Sequence, residues 1–203
     1  MPSRIFLLSP AWCGGKRAAV LLRAAATFPL ATRLRSETGV PLGEVFSFLS
    51  GLYFRGKMAY AREFAQPLGG ETGMYVITPT RGLVHPDTPV TVADLEEFGA
   101  VDIDQDDARY TDPLLRDVGR LKSSVPELEV ILLGSVASGK YVEVMADLLG
   151  ETLLFPSEFV GRGDMSRGGL MLRCVKENRE LTYIPVAGAV RRGPRPPRLE
   201  RIR

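Results

Sequence analysis

Four short apolar segments, each bounded by turn-forming residues, set the strongest limit on how this chain can fold. They are Ile5–Leu8, Met74–Thr78, Val130–Leu133 and Leu153–Phe155. Continuous apolar runs of this length are typical of strands buried on both faces, as in a parallel sheet. Segments with helical periodicity separate them. The pattern therefore predicts an α/β fold in which helices cover both faces of a mostly parallel sheet.

The C-terminal part of the chain breaks this alternation. Two apolar segments, Leu170–Val175 and Leu181–Val186, flank the polar stretch Lys176–Glu180. This arrangement predicts an antiparallel β-hairpin added to the edge of the sheet. We expect residues 1–190 to form a single domain, because a chain of 203 residues has the length of one ordinary domain.

Charge is distributed unevenly along the sequence. Residues 191–203 contain six arginines and one glutamate, a local balance of +5, whereas the whole chain carries +2 and the remainder therefore −3. Prolines in the same segment oppose regular structure. A basic Arg/Pro-rich tail of this kind can contact a phosphate backbone. The alternatives are a solvated arm or a strap packed against the domain.

The residues that most often bind metals are scarce. Cys13, Cys174 and His85 supply at most three soft ligands, and none has the spacing of a zinc site. We therefore expect neither a metal nor a cofactor. The apolar run near the N-terminus is only four residues long, and no stretch reaches the length of a membrane span. The expected location is the cytoplasm, with no membrane partner.

The loops that follow the predicted strands are rich in glycine, serine and arginine. In sheets of this type, ligands bind beyond the carboxyl ends of the strands. We therefore expect one ligand-binding cleft at that edge. The residues predicted to line it together are Ser9, Arg81, Ser135 and Arg162.

The segment Gly134–Tyr141 nearly matches the phosphate loop GxxxxGK[ST], in which backbone amides and a lysine hold phosphates. Tyr141 stands where the magnesium-binding hydroxyl belongs. The segment thus favours a looser anion-binding role for Lys140 at a helix N-terminus over nucleoside triphosphate hydrolysis. Tight packing of strand against helix is the other interpretation.

The segment Gly161–Gly169 combines four glycines with two arginines and an aspartate. We expect it to be a flexible loop in which Arg162 and Arg167 bind phosphate or carboxylate with paired donors. Asp164 is the predicted catalytic residue, as a general base or a stabiliser of positive charge. The alternative is a structural turn in which Asp164 pairs with one of the arginines.

A predicted helix at Leu52–Phe64 carries aromatic and cationic side chains together. Tyr53 and Lys57 are four residues apart and share one face with Tyr60, and Arg55 lies nearby. Such a surface can stack bases and bind phosphates, so Tyr53, Arg55 and Lys57 are predicted ligand-binding residues. The alternative is a helix with aromatic core residues along which Lys57 extends towards solvent.

Several of these segments resemble YaaA-like domains found beside 7-deazaguanine nucleic-acid modification systems. The similar segments are 7–10, 52–61, 78–87 and 140–141, within a stretch covering about residues 4–150. The resemblance implies an α/β domain linked to DNA or RNA. Residues 161–169 and the basic tail are not part of that pattern.

These observations together indicate a nucleic-acid-associated protein with a nucleobase- or phosphate-binding pocket that acts on a base or a glycosidic bond. The expected partners are DNA, RNA or a free nucleobase or nucleotide. One alternative is a non-enzymatic ligand sensor or stress-response protein. A second alternative is a nucleotide-dependent kinase or hydrolase that uses Gly134–Lys140.

Overall fold

The structure, a computed structural model, describes residues 2–67 and 72–199. Its main sheet has six strands in the order β4-β3-β1-β6-β7-β8, and β2 and β5 pair separately. The strands are β1 (Ser3–Leu8), β2 (Val40–Pro41), β3 (Met74–Thr78), β4 (Gly82–Val84), β5 (Pro89–Val90), β6 (Leu128–Leu133), β7 (Leu153–Pro156) and β8 (Tyr183–Pro185).

Eight α-helices connect the strands of the described chain. Short 3-10 turns at Gly150–Thr152 and Ser157–Phe159 flank β7. The helices are α1 (Lys16–Leu22), α2 (Pro29–Leu34), α3 (Leu42–Ser50), α4 (Leu52–Phe64), α5 (Val92–Gly99), α6 (Ala108–Ser124), α7 (Gly139–Leu149) and α8 (Asp164–Lys176).

The four strands predicted from apolar runs form the parallel centre of the sheet. β1 pairs in parallel with β3 and β6, and β6 pairs in parallel with β7. Along β1, Phe6 and Leu8 enter one hydrophobic cluster while Ile5 and Leu7 enter the other. Both faces of the sheet are thus buried, as the sequence predicts.

Helices cover the two faces unequally. The cluster containing Phe6 packs against residues from α1 to α5 and from α8, whereas the cluster containing Ile5 packs against α6 and α7. Helix α5 begins with a capping box in which Thr91 and Asp94 exchange hydrogen bonds. Helix α6 begins at Ala108, where the Asp107 side chain accepts from the Arg109 N–H.

The predicted antiparallel pairing at the C-terminal edge is confirmed, because β8 runs antiparallel to β7. The expected first strand of a local hairpin, Leu170–Val175, is wrong, since these residues lie in α8. Leu170, Met171 and Cys174 are buried on one helical face, a spacing that fits a helix. The expected flexible loop 161–169 is likewise wrong beyond Gly163, because α8 begins at Asp164.

The described part of the basic tail, residues 191–199, lies against the domain. Arg191 forms an ion pair with Glu143 of α7 at 2.8 Å, and Arg192 donates to the Ala137 carbonyl. Leu199 packs against the hydrophobic core. These contacts correspond to the strap considered from the sequence. Residues 200–203 lie outside the described chain.

None of the helices within the described ranges is both long and apolar enough to cross a lipid bilayer.

Helices α4 and α8 approach so closely that glycines are required at their contact. A Cβ added at Gly56 would lie 2.7 Å from the Gly168 carbonyl oxygen, and one at Gly168 would lie 2.8 Å from the Tyr53 Cα. Both obstacles are backbone atoms, which cannot turn away as a side chain can. This contact fixes the position of α8 against the sheet-covering helix α4.

Gly168→Ala is therefore expected to destabilise the protein by about 1–3 kcal/mol through overpacking. The matched control is Gly119→Ala in α6, where an added Cβ meets nothing within 4 Å. That change is expected to stabilise the helix by up to about 1 kcal/mol. Urea unfolding of both variants measures the difference, and equal effects of the two substitutions would contradict the close contact.

Candidate functional site

A cleft of about 490 Å³ opens beside the carboxyl ends of β1 and β6. Its walls come from the loop after β1, the start of α1, the junction of α3 and α4, the start of α7 and the start of α8. The lining residues are Ser9, Pro10, Ala11, Trp12, Gly15, Lys16, Arg17, Ala18, Leu49, Ser50, Tyr53, Ser135, Lys140, Tyr141 and Asp164.

A serine and a buried lysine meet at the floor of this cleft. Lys57 of α4 is fully buried. Its Nζ lies 2.9 Å from the Ser9 Oγ and also donates a short hydrogen bond to the Ser9 carbonyl oxygen. Ser9 follows β1 directly, so the end of the central strand holds its hydroxyl against the lysine.

The surroundings of Lys57 oppose its positive charge. Burial lowers the pKa of Lys57 to about 7, with Arg167 acting in the same direction and Asp164 opposing both. The rings of Tyr53 and Phe54, with centroids 4.3 Å and 4.8 Å from Nζ, supply weak compensation for the charged form. Lys57 thus titrates near neutral pH.

Two tyrosines enclose the Ser9 hydroxyl. The Tyr53 hydroxyl is buried and has no hydrogen-bond partner of acceptable geometry among the described residues. Burial raises the pKa of Tyr53 to about 12, although nearby Arg167 and Ser9 act in the opposite direction. Burial also raises the pKa of Tyr141, again opposed by Ser9. Both phenols therefore keep their protons at neutral pH.

Gly134 lies close to this serine. A Cβ added at Gly134 would lie 3.0 Å from the Ser9 Cβ and 3.3 Å from its Oγ. Gly134 directly follows β6, the neighbour of β1. The first glycine of the near phosphate loop is thus explained by its approach to Ser9.

The mouth of the cleft combines an exposed aromatic ring with cations. Trp12 is 74% exposed, and its ring rests on Gly14 and Gly15, where added Cβ atoms would lie 3.0 Å and 3.1 Å from it. Lys16 and Arg17 follow on α1, and Lys140 lies at the start of α7. Among the described residues, no acceptor is found for the backbone N–H groups of residues 135–138.

Asp164 lies at the edge of the cleft and is 67% exposed. Its Oδ1 is 3.4 Å from Arg167 Nη1, so the ion pair considered from the sequence is present. Arg167 is buried, and its Nε and Nη2 donate to the Phe159 carbonyl at 3.3 Å and 3.2 Å. Arg167 therefore anchors the start of α8, and the catalytic role of Asp164 stays a prediction.

The structure brings together most of the residues singled out from the sequence. Ser9, Tyr53, Ser135, Lys140 and Asp164 line the cleft. Lys57 lies directly behind Ser9 and is buried. It does not extend to solvent, contrary to the alternative considered for this helix face. Tyr60 belongs to the core, where its hydroxyl lies 2.6 Å from that of Tyr183.

Three predicted residues lie away from the cleft, namely Arg55, Arg81 and Arg162, and the expectation of a single cleft is wrong for the last two. Arg81 forms ion pairs with Asp94, at 2.6 Å, and with Glu97, because β4 turns the chain back after β3. Arg162 donates to the Glu158 carbonyl at 3.0 Å.

Arg55 is exposed on α4 and borders a separate groove that includes Glu44 and Met58. It points away from the cleft because it lies two residues from both Tyr53 and Lys57, off their face of the helix.

A second, basic groove of about 380 Å³ lies beside the cleft. Of its arginines, Arg173, Arg195 and Arg198 have no carboxylate partner within the described ranges. We call it the arginine groove. Its lining residues are Arg162, Met165, Ser166, Gly169, Arg173, Arg195, Pro196, Pro197, Arg198 and Leu199.

Sequence reasoning missed Trp12 as part of the site and treated Tyr141 only as a departure from a phosphate loop. The signal for Trp12 is its place in the loop that directly follows the first buried strand. The arginine groove is harder to predict from the sequence, because its residues come from α8 and from the distant segment 195–199.

In the described chain, no three His, Cys, Asp or Glu side chains are placed to share a metal ion. The cationic side chains that line the cleft are Lys16, Arg17 and Lys140, and Lys140 lies at the amino end of α7.

Comparisons of this chain with models of known protein families, with curated proteins and with solved structures find no match. The likeness to YaaA-like domains therefore stays an expectation from short motifs.

Lys57 is expected to impose a pH dependence on stability. In the unfolded chain it holds its proton up to its ordinary pKa of 10.5, but in the folded protein only up to about 7. Unfolding thus takes up a proton between these values, and stability rises with pH through this window by at most about 1.4 kcal/mol per pH unit.

Lys57→Met should remove that rise, whereas Lys176→Met, at an exposed lysine of α8, should keep it. The measurement is the free energy of unfolding in urea from about pH 6 to pH 10, taken as the difference from wild type. Parallel curves for wild type and Lys57→Met would show that the lysine is not buried as described.

Proposed function

We propose that this protein binds nucleic acid and holds one nucleotide unit in the cleft. In this proposal the base lies against Trp12, and its phosphate lies near Lys16, Arg17 and Lys140. The main support for this proposal is that the cleft and the arginine groove meet at the start of α8. Asp164 lines the cleft, and the next two residues, Met165 and Ser166, line the arginine groove.

The aromatic part of the proposal rests on the setting of Trp12. The ring is supported by the backbone of Gly14 and Gly15 and is otherwise mostly exposed. A fixed, exposed indole is a suitable platform for stacking a base, which contributes about 1–3 kcal/mol per base.

The electrostatic part rests on unpaired cations. Arg173, Arg195 and Arg198 of the arginine groove lack carboxylate partners within the described residues. The groove that they line also includes Met165 and Ser166 at the start of α8, beside the cleft. Successive phosphates of one strand would therefore meet the arginine groove while a nucleotide occupies the cleft. Such contacts release counterions and bind without regard to sequence.

Fewer observations support a reaction at a base or glycosidic bond than support nucleic-acid binding. Asp164 is the only carboxylate among the cleft-lining residues of the described chain, so this chemistry depends on it. Its exposure and its ion pair with Arg167 suit a binding-site residue equally well. The alternative of a nucleotide-dependent kinase or hydrolase has less support, since buried Tyr141 stands where a magnesium-binding hydroxyl is needed.

Trp12→Ala is expected to weaken binding of a short single-stranded oligonucleotide by about 5- to 150-fold, because the stacking platform is lost. Trp12→Phe should retain most of the affinity. The control is Val190→Ala, which truncates another exposed apolar side chain. Fluorescence anisotropy at constant salt measures the dissociation constants. Equal affinities for wild type and Trp12→Ala would rule out the stacking site.

The double change Arg195→Ser and Arg198→Ser is expected to flatten the salt dependence of binding. Each lost phosphate contact reduces the slope of log K against log salt by about 0.7–0.9, so the pair removes about 1.4–1.8. The charge-matched control is Arg109→Ser with Arg116→Ser, two exposed arginines that pair with Asp107 and Asp117. The slopes come from titrations at several salt concentrations. If both double variants keep the wild-type slope, the arginine groove does not bind phosphates.

A further inference from the structure

Nucleotide binding leaves the floor of the cleft unexplained. A fully buried lysine amine faces a serine hydroxyl there at 2.9 Å. Burying an amine is costly. Among the described residues no carboxylate forms an ion pair with Lys57, and the nearby Asp164 pairs with Arg167. A hydrogen bond between Ser9 and any neutral side chain would hold the loop equally well. The presence of a buried lysine at this position therefore indicates a role that involves the serine.

We propose that Ser9 is a nucleophile and Lys57 its general base, and that the cleft hydrolyses an acyl ester or amide carried by a phosphate-bearing compound. The acyl chemistry goes beyond the proposed function. Only the assignment of a phosphate-bearing substrate rests on the proposed function.

The geometry suits proton transfer from Ser9 to Lys57. The neutral amine can donate one N–H to the Ser9 carbonyl and direct its lone pair at the Ser9 hydroxyl hydrogen. This pair of contacts fixes the amine within hydrogen-bond reach of the reacting oxygen. Because burial lowers the pKa of Lys57 to about 7, a large fraction of the lysine is neutral at physiological pH.

The groups around Ser9 supply the remaining functions of acyl transfer. The Tyr53 hydroxyl is protonated, buried and without a partner in the described chain, so it can donate a proton at the cleft floor. The N–H groups of residues 135–138, which directly precede α7, have no acceptor among the described residues and can stabilise an oxyanion. Gly134 brings the backbone that follows β6 close to the serine side chain.

In the first half of the reaction, the Ser9 Oγ forms a bond to the acyl carbon and its proton passes to Lys57. The carbonyl electrons move to the oxygen and return as the bond to the leaving group breaks. The leaving group takes that proton from Lys57, which is then neutral again. In the second half, water attacks the acyl-serine and gives its proton to Lys57. Ser9 regains that proton, so one water converts the substrate to an acid and an alcohol or amine.

The arrangement favours an acyl over a phosphoryl electrophile. The groups nearest the Ser9 hydroxyl are an amine whose pKa is lowered to about 7 and two protonated phenols. Phosphoryl transfer needs cations clustered at the phosphorus itself. Here Lys16 and Lys140 lie at the cleft mouth, where they suit a phosphate held away from the reacting carbon.

The test is covalent labelling of the full chain with an alkyl fluorophosphonate in the absence of nucleic acid. The expected reaction forms a bond between the Ser9 Oγ and phosphorus, releases fluoride and leaves the proton on Lys57. Peptide mass spectrometry should locate one adduct, at Ser9. Ser9→Ala should abolish it. Ser123→Ala, at an exposed serine of α6, should leave it unchanged.

Lys57→Met should slow labelling about 100-fold or more, as expected for loss of a general base. In wild type the labelling rate should rise with pH through about 7 as Lys57 loses its proton, a profile that a purely structural lysine would not produce. The same protein should release a stoichiometric burst of nitrophenolate from p-nitrophenyl butyrate, which tests the acyl step. Circular dichroism and thermal melts establish that each variant is folded.

Absence of an adduct at Ser9 would overturn the proposal. So would labelling of folded Lys57→Met at the wild-type rate, or absence of the ester burst. None of these results depends on oligonucleotide binding, so they are distinguishable from failure of the proposed function. Conversely, loss of the predicted effect of Trp12→Ala would leave the serine chemistry standing.

Discussion

The contact between α4 and α8 determines the rest of the site. Gly56 and Gly168 allow the two helix backbones to approach to distances that any side chain would prevent. Because α8 covers α4 so closely, Lys57 is sealed from solvent on the helix that also carries Tyr53. The same contact brings the start of α8, with Asp164 and the buried Arg167, to the edge of the cleft. The close packing of the two helices and the electrostatics of the site therefore both depend on Gly56 and Gly168.

The electrostatics of the cleft change sharply between its mouth and its floor. At the mouth, Lys16 and Lys140 remain accessible to water. At the floor, desolvation dominates, lowering the pKa of Lys57 while raising that of Tyr53. A ligand that spans both regions would place a charged group at the mouth and an uncharged group at the floor. This gradient joins the two proposals, since one describes the mouth and the other the floor.

The parallel centre of the sheet could be predicted because its strands are buried on both faces and read as uninterrupted apolar runs. Ser9 and Ser135 could be placed in one cleft for the same reason, since each follows such a run. The strand predicted at Leu170–Val175 was wrong, because a short apolar segment fits a strand and a buried helix equally well. Arg81 was misplaced because the ion pairs that hold it come from α5, and sequence patterns do not reveal such tertiary partners.

The strap formed by residues 191–199 affects how the protein becomes functional during synthesis. Arg192 holds the Ala137 carbonyl in the loop before α7, and Pro194 lies against Gly161, ahead of α8. Both contacts join residues 191–199 to segments that border the cleft. During synthesis these residues emerge after the sheet and its helices, so the domain core can assemble before the loops at the cleft are held in place. Completion of the cleft edge therefore depends on the emergence of residues 191–199 and not on folding of the domain core alone.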